Sequence, residues 1–317
     1  MPLMDNAASS TVAILLCTYQ GETFLAQQLD SIARQTHRHW TLYVSDDGST
    51  DRTRAILEDY QSRWRTEYRV DRLHIIDGPQ RGYCANFLTL LCRDDIRADG
   101  YAYCDQDDIW EPDKLERALT FLSPFSAAKP ALYASRTQLI DEADAPLGFS
   151  PCFTRPPAFA NALVQNIGGG NTMVFNDGAR QLLKSVGAVD VPVHDWWTYL
   201  VVSGSGGTVH YDPHSSVQYR QHAKNQIGSN LGLTARFIRA RMLLEGRFKT
   251  WNTQNLAALS ILRSRLAPEN QKTLATFAAV RSDSLFTRLK ALRKSGVYRQ
   301  TFIGNLGLFV AACLGKL

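Results

Sequence analysis

The sequence predicts an α/β fold: a mostly parallel central sheet with helices on both faces, followed by a basic, helical C-terminal extension. Three observations carry this. The first half of the chain alternates short, continuously apolar runs with amphipathic helical patterns, as strands buried on both faces between crossover helices do. With 317 residues, 44% hydrophobic and 21% charged, the chain can bury a full core. The formal net charge of +5 is unevenly spread: residues 229 to 317 hold 15 Lys and Arg against 3 Asp and Glu, and the first 228 hold 20 against 27.

The elements follow in order. VAILLC (12 to 17) is a strand, ETFLAQQLDSIARQ (22 to 35) a helix, WTLYVS (40 to 45) a strand and TRAILEDYQSRW (53 to 64) a helix. LHII (73 to 76), a helix around CANFLTLLC (84 to 92) and the strand YAYC (101 to 104) continue the series. A proline-bearing stretch from Asp144 to Pro157 reads as an irregular separator before NIGGGNTMVF (166 to 175), VHDWWTYLVV (193 to 202) and TVHYDPHSSVQYRQH (208 to 222). Beyond about Gly228 the pattern is helical and basic, giving two regions, 1 to 228 and 229 to 317. No internal repeat or low-complexity tract is present in the sequence.

Composition narrows the function classes. Cys17, Cys84, Cys92, Cys104, Cys152 and Cys313 show no paired spacing, the pattern of reduced thiols in a cytoplasmic protein. The apolar run Val12 to Cys17 is too short for a signal peptide, and no stretch reaches the roughly 20 apolar residues of a membrane span. FIGNLGLFVAACL (302 to 314) reads instead as a helix lying against a membrane surface or against the body. A basic tail suits an anionic partner, phospholipid or nucleic acid, or is simply a set of solvated helix faces. Its aromatic residues are not interleaved in a nucleic-acid-binding module, so nucleic acid is disfavoured.

Ligands of parallel sheets sit beyond the carboxyl ends of the strands, so the polar segments there are the place to seek function: CTYQGE, SDDGST, DGPQRG and DQDD. The last belongs to YCDQDDIWEPDKL, with Asp105, Asp107, Asp108 and Glu111 in seven positions. Such carboxylates either cap the helix that Pro112 starts or hold a hard divalent cation, Mg²⁺ or Mn²⁺, which relieves their repulsion. SDDGST is a turn leading to an N-cap at Ser49 or Thr50, or a cradle for a nucleoside, with Tyr19 as a stacking face. Neither GxGxxG nor GxxxxGK[ST] occurs in these loops, so the phosphates would fall to metal and to basic groups such as Arg81. In HDWW, Asp195 is either a helix cap or a general base, and Trp196 or Trp197 a core residue or a platform for a sugar ring. His222 is a structural histidine or a further ligand for a Mn²⁺-type ion.

In their order along the chain, CTYQGETFLAQQLDSIARQT, VSDDGSTDRT, YCDQDDIWEPDKL, GGGNTMVF, HDWW and YRQHAKNQIG resemble the family 2 inverting glycosyltransferases of bacteria. Within that family they look most like the rhamnosyltransferase-type members that build O-antigen and other cell-surface polysaccharides. The resemblance spans residues 10 to 228 and leaves out the basic tail. It implies a GT-A fold and transfer of a sugar, L-rhamnose being a candidate, from a dTDP- or UDP-sugar to a saccharide or polyprenyl-linked acceptor. By position it puts Thr18, Tyr19 and Asp47 on the nucleoside, Arg81 and Asn86 near the donor's sugar and diphosphate, and Asp105 and Asp107 on the DxD motif, Asp107 being the direct metal ligand. It puts Asp195 on the catalytic base, Gly169, Asn171 and Trp196 at the acceptor, and His222 on a histidine that completes the metal shell in some members. Many relatives have Glu-Asp where this chain has His194 and Asp195, so a second-carboxylate role does not carry over. The resemblance implies a cytoplasmic enzyme, with the tail available for an anionic inner-membrane surface or a homo-oligomer contact. The alternatives are a sugar nucleotidyltransferase, which would want a Gly-rich, Arg-containing loop after the first strand, and a silent carbohydrate- or membrane-binding scaffold.

Overall fold

The structure, a computed structural model, describes residues 9–222 and 246–317. At its centre lies β1 (Val12–Thr18), buried along all seven residues. It runs parallel to β2 (Trp40–Asp46) on one side and β4 (Gly100–Cys104) on the other, and β3 (Leu73–Asp77) lies parallel outside β2. The crossovers are α1 (Leu25–Ala33), α2 (Thr53–Tyr68) and α3 (Tyr83–Leu91). Successive β1 side chains enter opposite cores: Ala13, Leu15 and Cys17 point to one, Val12, Ile14 and Leu16 to the other. Burial on both faces is why this strand is apolar throughout.

Beyond β4 the sheet is mixed. The order is β3-β2-β1-β4-β8-β6-β9-β5, with β7 beside β6, where β5 is Ile109–Trp110, β6 Ala131–Ile140, β7 Pro146–Phe149, β8 Val174–Asn176 and β9 Thr208–Arg220. β8 is antiparallel to both β4 and β6, whereas β6 and β9 are parallel with a register shift around Arg136. The Asp144 to Pro157 stretch, expected to be an irregular separator, contains β7 and closes a hairpin with β6. A separator would need few contacts across it, and this segment is bonded into the sheet edge instead.

Four helices follow β5 on the two faces: α4 (Lys114–Leu122), α5 (Phe159–Ala162), α6 (Asp177–Lys184) and α7 (His194–Gly204). The C-terminal helices are α8 (Arg247–Ile261), α9 (Pro268–Ala278), α10 (Leu285–Ser295) and α11 (Phe302–Cys313). Their buried residues Leu259, Phe277, Ala291 and Leu308 belong to the same core as Trp197 and Leu200 of α7. The expected boundary between residues 228 and 229 lies outside the described residues. Among the described residues no helix is long and apolar enough to cross a membrane.

Candidate active site

The parallel register aligns the polar strand ends along one edge: Thr18 faces Asp46, Asp46 faces Asp77 and Leu16 faces Cys104. Thr18 Oγ1 donates to Asp46 Oδ1 at 2.8 Å, and Ser49 Oγ donates to the same atom at 2.6 Å. Ser49 thus closes the turn. It does not cap a helix at 49 or 50, and α2 begins at Thr53, whose N–H and hydroxyl both donate to Asp51. Asp47 is buried and accepts from the backbone N–H of Gln80 at 2.6 Å and of Gly82 at 2.9 Å, so its carboxylate holds the loop between β3 and α3. Asn86 is buried and exchanges two bonds with Ser45, fixing α3 to β2. Arg81 is exposed on the loop between β3 and α3. Tyr19 leaves 58% of its surface free beside these groups.

The acidic segment is bonded on every side. Gln106 Oε1 accepts from Tyr19 N–H at 2.8 Å and Gln106 Nε2 donates to Tyr19 O at 3.0 Å, a paired contact that works like one rung of a strand ladder. Gly21 leaves room for that amide; a Cβ there would sit 2.4 Å from Gln106 Oε1. Arg220, fully buried at the end of β9, donates Nε to Asp107 O at 3.0 Å and its backbone N–H to Asp108 Oδ1 at 3.2 Å. The same guanidinium reaches Asp144 at 2.5 Å and Gln27 at 2.9 Å. Neither Gln106 nor Arg220 was singled out from the sequence. Glutamine has no chemical signature, and an arginine two positions before a histidine reads as a surface residue until the strand carrying it is known to end beside the acids.

Three carboxyls are pulled upward. Burial and the nearby charges of Asp107 and Asp195 raise Asp105 to about 8. Burial and the neighbouring Asp107 and Asp105 hold Asp108 well above the usual range, though Asn171 Nδ2 donates to its Oδ2 at 2.5 Å. Burial raises Asp195 to about 6 against the pull of N–H groups at Trp196 and Gly170. Asp195 lies in the first turn of α7, with Oδ1 accepting from Trp196 N–H at 2.5 Å and Oδ2 from Gly170 N–H at 2.9 Å. Beneath the acids, Lys114 is fully buried, has no hydrogen-bond partner for Nζ, lies 4.6 Å from the Trp110 ring centroid and is lowered to about 7 by burial.

The 3₁₀ turn Gly170–Thr172 joins the two acidic groups, since Gly170 donates to Asp195 while its neighbour Asn171 donates to Asp108. Gly169 precedes this turn, and a Cβ on Gly169 would meet Asn171 Oδ1 at 2.6 Å. Asn171 therefore has its amide committed to the acid cluster. His194, buried and lowered to about 3 by that burial, stacks on Phe87 at 4.0 Å with neither ring nitrogen bonded. Trp196 is buried, donates Nε1 to Ala162 O at 2.6 Å and meets Trp251 of α8 edge to face at 6.2 Å; Trp197 is fully buried. Both indoles are core residues in this arrangement, with no face turned to a sugar ring.

For a divalent ion the donor chemistry is of the right kind. Asp107 Oδ2 and His222 Nε2 meet at 2.8 Å, and Asp105 lies in the same acidic field, a carboxylate and imidazole set suited to Mg²⁺ or Mn²⁺. Among the described residues no three such side chains converge as a closed metal cage.

Residues 13–139 match the profile of Glycosyl transferase family 2. Over that stretch the chain carries the pattern of this family. The chain is 28% identical over 238 residues to the dTDP-rhamnosyl transferase RfbG of Shigella flexneri, covering 71% of this chain and 77% of that protein. It is 31% identical over 120 residues to the putative teichuronic acid biosynthesis glycosyltransferase TuaG of Bacillus subtilis, covering 37% and 44%. Among solved structures, S. aureus TarS 1-349 in complex with UDP-GlcNAc superposes with TM-score 0.54 at 12% identity over 90% of each chain. The mannosyltransferase PcManGT from Pyrobaculum calidifontis, in complex with GDP-Man and Mn2+, does so with TM-score 0.50 at 16% identity over 97% and 87%. The fold is GT-A. The relatives place the enzyme among glycosyltransferases.

Proposed function

We propose that this glycosyltransferase inverts configuration as it moves a sugar, L-rhamnose being the first candidate, from a dTDP- or UDP-sugar to a hydroxyl of a saccharide or polyprenyl-linked acceptor in the cytoplasm. The observation that carries the reading is the turn at Gly170 and Asn171, which bonds Asp195 and Asp108 from adjacent residues and so sets one buried carboxylate beside the acidic loop. Likeness to a dTDP-rhamnosyl transferase over most of both chains supports the donor class.

In this reading Tyr19 stacks on the base, with Thr18 and Asp47 at the nucleoside, and Arg81 and Asn86 lie on the side of the donor's sugar and diphosphate. Asp107 and His222 would hold Mg²⁺ or Mn²⁺, with Asp105 turned to the donor; when bound, the ion offsets charge that develops on the departing diphosphate. Asp195 accepts the proton of the acceptor hydroxyl. Its pKa of about 6 leaves it mostly ionised at neutral pH while keeping it basic enough to serve. The bond forms between acceptor oxygen and anomeric carbon on the face opposite the diphosphate, which leaves with the bonding pair. Gly169 and Asn171 shape the acceptor side and Trp196 backs it from the core. The body at 1 to 228 carries this chemistry, and helices α8 to α11 of the C-terminal region buttress it.

Release of nucleoside diphosphate from dTDP-rhamnose, UDP-glucose and UDP-N-acetylglucosamine, each with and without Mn²⁺, tests the reading. Metal-dependent release that Asp195→Asn abolishes is expected; release that survives Asp195→Asn unchanged would overturn it.

A further inference from the structure

We propose that the outward face of α10 and α11 is a docking surface for an anionic phospholipid bilayer. On α11, Phe302, Ile303, Leu306 and Phe309 are exposed along one side of the helix, while Leu308, Ala311 and Ala312 are buried on the other. Phe302 leaves 85% of its surface free, and Phe286 at the start of α10 leaves 78%. Large apolar side chains lined along one side of a helix in this way mark an interaction site, unlike scattered single ones. The two helices are tied together, for Arg288 of α10 donates Nη2 to the carbonyl of Cys313, at the far end of α11, at 2.9 Å.

Charge decides which partner fits. The apolar side of α11 has no charged residue within Phe302–Cys313, and the adjoining α10 offers Lys290, Arg293 and Lys294 exposed with no acid in its sequence. Residues 246 to 317 hold 12 Lys and Arg against Glu269 and Asp283. A second copy of this face would bring like charge against like charge. An anionic leaflet complements the cations while its acyl boundary takes up the phenylalanines. At 12 residues α11 is about 18 Å long, well short of the roughly 30 Å of a hydrocarbon core, so it would lie in the interface plane and not cross it.

The surface is fastened to the reacting centre. Just ahead of α11, the carbonyl of Tyr298 accepts from Asn161 Nδ2 at 2.9 Å and the N–H of Gln300 donates to Gln165 Oε1 at 2.8 Å. The next residue, Asn166, lies beside the Asp195 carboxylate and donates Nδ2 to Gly168 O at 2.8 Å, at the start of the turn that holds Asp195. A protein seated through α10 and α11 therefore holds the base-bearing side of its cleft at a fixed orientation to the bilayer, where a lipid-linked acceptor is met. Only this last consequence rests on the proposed function; docking itself does not.

Flotation of the full chain with vesicles of phosphatidylglycerol and phosphatidylcholine, against phosphatidylcholine alone, tests the proposal without any sugar nucleotide. The expected result is binding to the anionic vesicles that weakens as salt is raised and is at least tenfold weaker on neutral ones. Phe302→Asp with Ile303→Asp, and separately Lys290→Glu with Lys294→Glu, are each expected to lower binding at least tenfold and to leave nucleoside diphosphate release in solution unchanged. No flotation with anionic vesicles, or flotation indifferent to both pairs, overturns it. So does a dimer in sedimentation that Phe302→Asp dissolves, which gives the face to a second copy. Failure of diphosphate release in a chain that still floats counts against the proposed function and not against docking.

Discussion

Gly170 donates its backbone N–H to Asp195 Oδ2 at 2.9 Å, and a Cβ on Gly170 would lie 2.6 Å from His194 Nε2. Asp195 is thus held by a backbone that only a residue without a side chain can bring so near. Gly170→Ala should push on a ring already wedged against Phe87, costing about 1–3 kcal/mol of stability and lowering turnover more than donor affinity. Denaturant titration beside a kcat and KM comparison checks it; a KM effect alone would contradict it.

Asp195→Asn should reduce transfer by about 10²- to 10⁴-fold, the usual range for a lost general base, and spare donor binding. For the wild type, kcat/KM should climb with pH and level off above about 6, the pKa that burial gives this carboxyl. A flat profile between pH 5 and 7 would be inconsistent with Asp195 as the base.

Asp195 and His194 should pull the stability curve in opposite directions. Asp195 has its folded pKa raised from 3.8 to about 6, so the folded state takes up its proton first and this group favours folding as pH falls through 6. His194 has its folded pKa depressed from 6.5 to about 3, so the unfolded state takes up its proton first and stability falls as pH drops below 6.5. His194→Phe should therefore flatten the loss of stability between pH 6 and 4, whereas Asp195→Asn should steepen it and raise stability at pH 7 by about 1–3 kcal/mol. Urea midpoints at three pH values suffice to compare them.

Asp107→Ala should abolish the rise in melting temperature that dTDP and Mn²⁺ give together, since ligands stabilise only through the state they bind. Chelation of the metal should do the same to the wild type. Asp195→Asn should keep the full shift, and equal loss in both variants would refute the division of roles.

Arg220→Met should cost about 3–5 kcal/mol, the usual penalty for breaking a buried charged network, and weaken donor binding because Asp107 and Asp108 lose their anchor. Arg220→Lys should rescue little: an ammonium cannot span Asp107, Asp144 and Gln27 as the guanidinium fork does. Calorimetry and donor titration of both variants give the comparison.

The parallel half of the fold was legible because β1 and β4 are buried on both faces and their sequences are apolar throughout. The edge on which function would lie followed from strand direction alone. β6 was not anticipated, since its later residues Ser135, Arg136, Thr137 and Gln138 break the apolar pattern to bond with β9 and Ser150. The acids were legible as a cluster, but their supports were not. Trp196 meets Trp251 across 55 positions of sequence, and Asn171 meets Asp108 across 63; such pairings are set by the tertiary fold, to which periodicity is blind.

The paired bonds between Gln106 and Tyr19 couple two loops that sequence keeps 87 positions apart. Whatever shifts the acidic segment drags the aromatic ring with it, and the reverse. With Tyr19 on the base and the acidic segment at the diphosphate, as proposed, remodelling the first loop to change the nucleobase should disturb the diphosphate side as well, so altered base preference and retained turnover should be found together only when both loops are exchanged as a unit.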